Sequence, residues 1–164
     1  MAHSVALRVF LAESLGGIMY YTVEERTKAL QQAVSKIDNL TKSCSEYTRG
    51  INDCFALLVE YDLALRGESK ARDLIKFRWS STKDFVAKLA KEGYDLIDLA
   101  EYSGYEIVWS KRPELGDVAF YKGVLINDGD FWVSTKEDNS GVADEFMVML
   151  VETRMPLIAR PIRS

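Results

Sequence analysis

The feature that most constrains this chain is a run of residues that leaves almost no face for water. After Cys54 come Phe55, Ala56, Leu57, Leu58, Val59, Leu63, Ala64 and Leu65, softened only by Glu60, Tyr61 and Asp62. Asn52 or Asp53 is a natural N-cap, and Gly67 is a natural stop, so the run predicts a helix over Cys54 to Leu65. A helix apolar nearly all round has to be buried in the middle of a fold. Other elements must wrap it, and 164 residues suffice for one domain that does so.

The wrapping elements change period along the chain. Thr22-Val23-Glu24-Glu25 matches a capping box, and Leu30, Ala33, Val34, Ile37 and Leu40 follow as a one-sided helical stripe. Asp38-Asn39 and the Ser/Thr/Lys cluster behind it mark the expected end of that helix. A short helix is expected over Ser69 to Lys76. Ser81 or Thr82 caps another, with Phe85, Val86, Leu89 and Ala90 inward and Gly93 behind it. Leu96 to Tyr102 is a mixed segment. From Tyr105 the pattern turns to β: Tyr105–Trp109, Asp117–Tyr121, Val124–Ile126, Asp130–Ser134, Met147–Glu152 and Leu157–Arg160 are candidate strands. Asn127-Asp128-Gly129 is a hairpin turn. Helices first and a small antiparallel sheet afterwards predict an α+β arrangement. The division expected is an N-terminal arm at 1–21, an α+β domain at 22–152 and a C-terminal extension at 153–164.

Composition removes several functions. A formal charge of -4 argues against a basic nucleic-acid binder. No stretch reaches the roughly 20 apolar residues of a bilayer span. The opening Met1-Ala2-His3-Ser4 is a poor signal n-region, so the chain reads as made in a reducing cytosol. Two Cys and one His make neither a disulfide scaffold nor a zinc site. Neither a metal nor another cofactor is expected. Asn127, Asp128 and Asp130 imitate a calcium loop only superficially, because the distal Glu of an EF-hand is missing.

Asn52-Asp53-Cys54 is the sharpest chemical feature. A cysteine in the first turn of a helix sits near the positive end of the macrodipole and beside unpaired amides, and both favour thiolate. The competing reading is a buried cysteine acting as a small hydrophobe. Cys44, ten residues earlier in a Ser-Cys-Ser setting, matches no redox motif. The aromatic content of 11% suits either a contact surface or ordinary packing. Arg154, Arg160 and Arg163 either dock on an acidic partner or form a solvated tail.

Gly50-Ile51-Asn52-Asp53-Cys54 before an apolar helix resembles the nucleophile segment of the NlpC-type cysteine peptidases, a papain-like superfamily. Pro113 and Gly116-Asp117-Val118-Ala119-Phe120-Tyr121 resemble its second signature, a Gly-Asp turn leading into a strand. Val124 to Trp132 resembles the strand and hairpin that follow. The order of the motifs matches over about residues 23–135, with about sixty residues between Cys54 and Gly116. The nearest resemblance is to phage-encoded members found in the tails of long-tailed phages. It implies a papain-like α+β fold in which Cys54, Asp53 and Asp117 gather at a cleft, with Cys54 as the nucleophile.

One departure reverses the functional implication. Active members carry a His on the strand after the Gly-Asp strand, which takes the thiol proton and later protonates the leaving amine. The corresponding stretch here is Lys122-Gly123-Val124-Leu125-Ile126, and it has no His. His3 is the chain's sole imidazole, 51 residues before Cys54. Lys122 stays charged at neutral pH unless deeply buried, and Asp117 is too weak a base for a thiol. The resemblance therefore implies a structural component of a phage tail tip on a degenerate peptidase fold. Its partners would be other tail proteins in a symmetric assembly, with contact to the bacterial cell wall, no nucleic acid and no stable membrane insertion. Its location would be the virion, after synthesis in the host cytoplasm. The alternatives are an active hydrolase cutting peptidoglycan peptide crosslinks and a cytosolic adaptor unrelated to phages.

Overall fold

The computed structural model describes residues 19–108, 113–120, 123–136, 141–146 and 157–163. Within them the helices come first: α1 Val23–Ser43, α2 Cys54–Arg66, α3 Lys70–Leu74, α4 Thr82–Lys91 and α5 Leu96–Tyr102. The strands follow: β1 Tyr105–Ile107, β2 Val118–Phe120, β3 Val124–Asn127, β4 Phe131–Thr135, β5 Val142–Phe146 and β6 Leu157–Pro161. They form one sheet in the order β1-β6-β2-β3-β4-β5, with every neighbour antiparallel. The chain is therefore α+β.

Local chemistry accounts for most helix boundaries. The Thr22 hydroxyl accepts from the Glu25 amide at 3.1 Å and the Glu25 carboxylate accepts from the Thr22 amide at 3.0 Å, so the capping box is complete. The helix it opens runs through Asp38 and ends at Ser43, inside the Ser/Thr/Lys cluster expected to stop it. Asp38 is instead used in tertiary structure: its Oδ1 accepts from the Val142 amide at 2.9 Å and ties α1 to the start of β5. Asp53, rather than Asn52, caps α2, accepting from the Ala56 amide at 3.0 Å. Asn52 braces the preceding loop through the Thr48 amide at 2.7 Å and the Glu46 carbonyl at 3.2 Å. Leu96–Tyr102, read as a mixed segment, is a helix with its own capping box between Asp95 and Asp98.

α2 sits between α1 on one side and β3 and β4 on the other. Leu57, Tyr61 and Asp62 are completely buried, as the all-round apolar pattern requires. The sheet alternates in the usual period of two. Val118, Val124, Ile126, Val133 and Ala159 face the helices and join Ile37, Leu57, Leu58 and Leu89 in the main core. Ala119, Leu125, Trp132 and Ile158 form a smaller cluster. No described helix is long and apolar enough to cross a membrane.

β6 is last in sequence but lies between β1 and β2, although it falls inside the 153–164 segment. Its register aligns Ala159 with both Ile107 and Val118. The chain beyond it pairs back to residues 19–20: Tyr20 bridges Ile162, and the Arg163 amide donates to the Met19 carbonyl at 2.7 Å. Arg160 and Arg163 are thus held within the domain rather than in a loose tail. Arg160 makes a bidentate pair with Asp117, while Arg163 pairs with Glu25 and lies 4.8 Å above the Tyr21 ring. β5 was unmarked by the sequence pattern. The expected strand at Met147–Glu152 lies outside the described residues, as do His3, Trp109, Lys122 and Arg154.

Candidate functional site

Cys54 is the first residue of α2, and the loop ahead of it is held by side chains. Gly50 takes a positive φ of 83°, and a β-carbon there would stand 3.2 Å from the Trp79 ring, so a side chain would strain the backbone and crowd the ring. The Arg49 guanidinium lies 5.2 Å above the Tyr47 ring. The Tyr47 hydroxyl is 3.4 Å from Thr135 Oγ1 on β4. On the sheet side, a β-carbon at Gly123 would be 3.2 Å from Cys54 Sγ, and the Val124 backbone hydrogen-bonds the sulfur.

An open pocket begins at this sulfur. It encloses about 550 Å³, solvent-filled mouth included, and is walled by Phe55, Trp79, Phe85, Leu99, Phe120 and Val124. Arg49, Asp53, Cys54 and Thr82 supply its polar atoms. Phe55, Trp79 and Phe85 pack on one another with centroid separations of 5.1 to 5.8 Å.

The thiolate expected from the helix terminus is not what the environment favours. Burial first, and the adjacent Asp53 carboxylate second, push the Cys54 thiol up to about 11, against opposing contributions from Val124 and Arg49. A dipole effect of about 0.3–1 kcal/mol is smaller than the penalty of removing a charge from water. At pH 7 a thiol with that pKa is ionised in about one molecule in ten thousand. Asp53 is itself raised by burial, despite amide bonds from Ala56 and Gly50. Tyr47 is raised by burial and also by the nearby Cys54 and Asp53, so it stays a phenol near neutrality. Neither the Cys54 thiol nor the Tyr47 phenol gives up its proton readily near pH 7. If Asp53 holds the thiol neutral, Asp53→Asn will keep the cap and lower the Cys54 titration midpoint. Asp53→Ala will in addition lose about 1 kcal/mol of stability on urea unfolding.

The three residues singled out by sequence do not meet. Asp53 and Cys54 share the pocket. Asp117 stands before the other end of β2, separated from the pocket residue Phe120 by about 10 Å of strand. It is completely buried and committed: both its oxygens bond Arg160, at 2.8 and 2.9 Å, and Oδ2 also accepts from the Glu114 amide at 2.7 Å. Gly116 beside it accepts from the Tyr61 hydroxyl at 2.9 Å. The Gly-Asp turn thus locks the sheet onto α2. The residues that do surround the sulfur, Tyr47, Arg49, Trp79 and Gly123, read in the sequence as turn or packing residues. Gly50 is the one local sign of the close approach.

The side-chain oxygens at Asn127 and Asp128 serve the amides of their own turn. Asn127 Oδ1 accepts from the Gly129 amide, and Asp128 Oδ1 from the Asp130 and Phe131 amides. Among the described residues no group of three or more His, Cys, Asp or Glu side chains could hold a metal ion. No family model matches the chain, and no curated protein or solved structure is found similar to it.

Proposed function

We propose that this protein is a non-catalytic structural subunit of a long-tailed phage tail, built on a papain-like scaffold of the NlpC type that has lost its general base. One observation carries the reading. Gly123, where a β-carbon would crowd the Cys54 sulfur at 3.2 Å, lies in the stretch where the resemblance puts the catalytic His. Gly123 itself offers the sulfur no side chain that could take its proton. The neutral thiol and the commitment of Asp117 to Arg160 support the same conclusion. General acid–base help is worth about 100- to 10,000-fold, and amide hydrolysis here goes without it.

On this reading the fold serves as a rigid body for assembly. Its partners are other tail proteins around a symmetry axis, close to the bacterial wall, and its place is the virion. Two measurements test the two halves. Purified protein given crosslinked peptidoglycan should release no new amino termini, and turnover that vanishes in Cys54→Ala would overturn the non-catalytic half. Purified virions should contain the chain in their tail fraction, and its absence there would overturn the assembly half.

A further inference from the structure

Charge is sorted along the middle of this chain. Residues 70–91 hold seven Lys and Arg side chains against two carboxylates, in a protein whose formal charge is -4. Residues 92–108 hold five carboxylates and no Lys or Arg. A basic block therefore abuts an acidic one at Lys91 and Glu92, where α4 ends and the turn to α5 begins.

Local structure turns both blocks toward solvent. In the stretch before α4, the Phe77 and Trp79 rings pack on Phe85 at 5.6 and 5.1 Å, so Lys76 and Arg78 alternate outward and are exposed. The Lys88 ammonium fastens that stretch to α4 by donating to the Arg78 carbonyl at 2.6 Å. On α4 the inward side is Phe85 and Leu89, which leaves Lys83, Ala87 and Lys91 in line on the outer side, four residues apart and all exposed. On α5 the inward side is Leu99 and Ala100, and Asp98, Glu101 and Tyr102 turn the other way.

These charges are not spent within the chain. The two carboxylates of the basic block have local partners: Asp84 pairs with Lys88 at 3.2 Å, and Asp73 lies 3.9 Å from Arg72. Among the described residues Lys76, Arg78, Lys83 and Lys91 have no ion pair, and neither do Glu92, Asp95, Asp98 and Glu101. Like charges gathered on one face repel, and an opposite surface relieves them. The ground between the charges suits a protein partner. Val86, 40% exposed, and the exposed Ala87 and Ala90 make a small apolar strip beside Lys83 and Lys91. Tyr94 and Tyr102, 37% and 50% exposed, stand in the acidic block. Apolar contact, tyrosine anchors and a charged rim belong to protein interfaces.

We propose that this face pairs with the same face of a second copy of the chain about a two-fold axis at the α4–α5 turn, Lys83 and Lys91 of one protomer meeting Glu92 and Glu101 of its partner. A second copy brings the acidic block in equal number. Because the two blocks adjoin, one two-fold axis makes both contacts at once. The pairing stands apart from the tail reading: its failure leaves that reading intact, and absence from virions leaves the pairing intact.

Sedimentation of the full chain near neutral pH tests it, with a reductant present to exclude disulfides between copies. Monomer and dimer should exchange, with a dissociation constant that rises at least about tenfold between about 50 and about 500 mM NaCl. Lys83→Glu with Lys91→Glu should abolish the dimer, as should Glu92→Lys with Glu101→Lys. Mixed in equal amounts, the two variants should form a heterodimer, because each restores the charge the other has lost. Carbodiimide coupling of isotopically light and heavy wild-type protein needs no variant. It should join Lys83 or Lys91 to Glu92 or Glu101 across the two isotopes. A monomer at every concentration up to about 1 mM in low salt would overturn the proposal. So would a dimer indifferent to salt, a dimer that survives both reversals, or crosslinks confined to other surfaces. Growth beyond a dimer would overturn the two-fold axis. A monomer retained by heparin would give the basic face to a polyanion instead.

Discussion

Arg160→Met is expected to lower the unfolding free energy by about 3–5 kcal/mol, the usual cost of stranding one partner of a buried ion pair. The Asp117 side chain is completely buried and Arg160 supplies two of its bonds, leaving only the Glu114 amide if the guanidinium is removed. Arg160 also sits on β6, between β1 and β2, so the stranded charge would lie where three strands are pinned together. Joint replacement, Asp117→Leu with Arg160→Met, should recover a large part of the loss, because the desolvation penalty leaves with the pair. Urea unfolding at pH 7 reads both. A single-variant loss under about 1 kcal/mol would show that the pair is not holding the sheet.

The second large effect is a pH dependence centred on Asp62. This carboxyl lies in the middle of α2, accepts from Ser69 at 2.8 Å and from the Tyr105 hydroxyl, and is raised by burial from 3.8 to about 6. Tyr105 is raised well above its ordinary value, mainly by burial and then by Asp62, and so remains the donor. A carboxyl with a raised folded-state pKa binds its proton more tightly in the native chain than in the unfolded one. Its contribution is fully present below about 3.8 and is lost as pH rises through about 6. The gap corresponds to about 3 kcal/mol. The stability difference between the wild type and Asp62→Asn should therefore shift by about that amount between pH 3.5 and 7.5, in favour of the variant at the higher pH. Comparing the two cancels the acid titration of all other groups. A difference independent of pH would remove Asp62 as the titrating group.

How much of this was legible depended on how local each cause is. The capping box at Thr22, the burial of α2 and the turn at Asn127 are written within a few residues, and the sequence pattern finds them. Helix α5 was obscured because its seven residues span barely two turns, too few for an apolar stripe to declare a helical period, although Asp95 is an ordinary cap. The position of β6 depends on pairing with strands about fifty and forty residues earlier, which no periodicity encodes. Asp117 shows the same limit from the chemical side. Its motif was visible, but its partner Arg160 is 43 residues away, and that partner turns a candidate site residue into a structural one. The ionisation of Cys54 was misjudged for a related reason. The helix terminus is a local feature, whereas the packing of Phe55, Phe120 and Val124 around the pocket is not.

The account turns on whether the Cys54 thiol can be relieved of its proton near neutrality. The direct measurement is its rate of alkylation by iodoacetamide from pH 6 to 11.5, resolved from Cys44 by mass spectrometry of the modified peptides. The account predicts negligible labelling at pH 6 and a rate that climbs to a midpoint near 11. A plateau already reached below pH 7 would mean that a base or cation stabilises the thiolate after all, and the non-catalytic reading would be wrong.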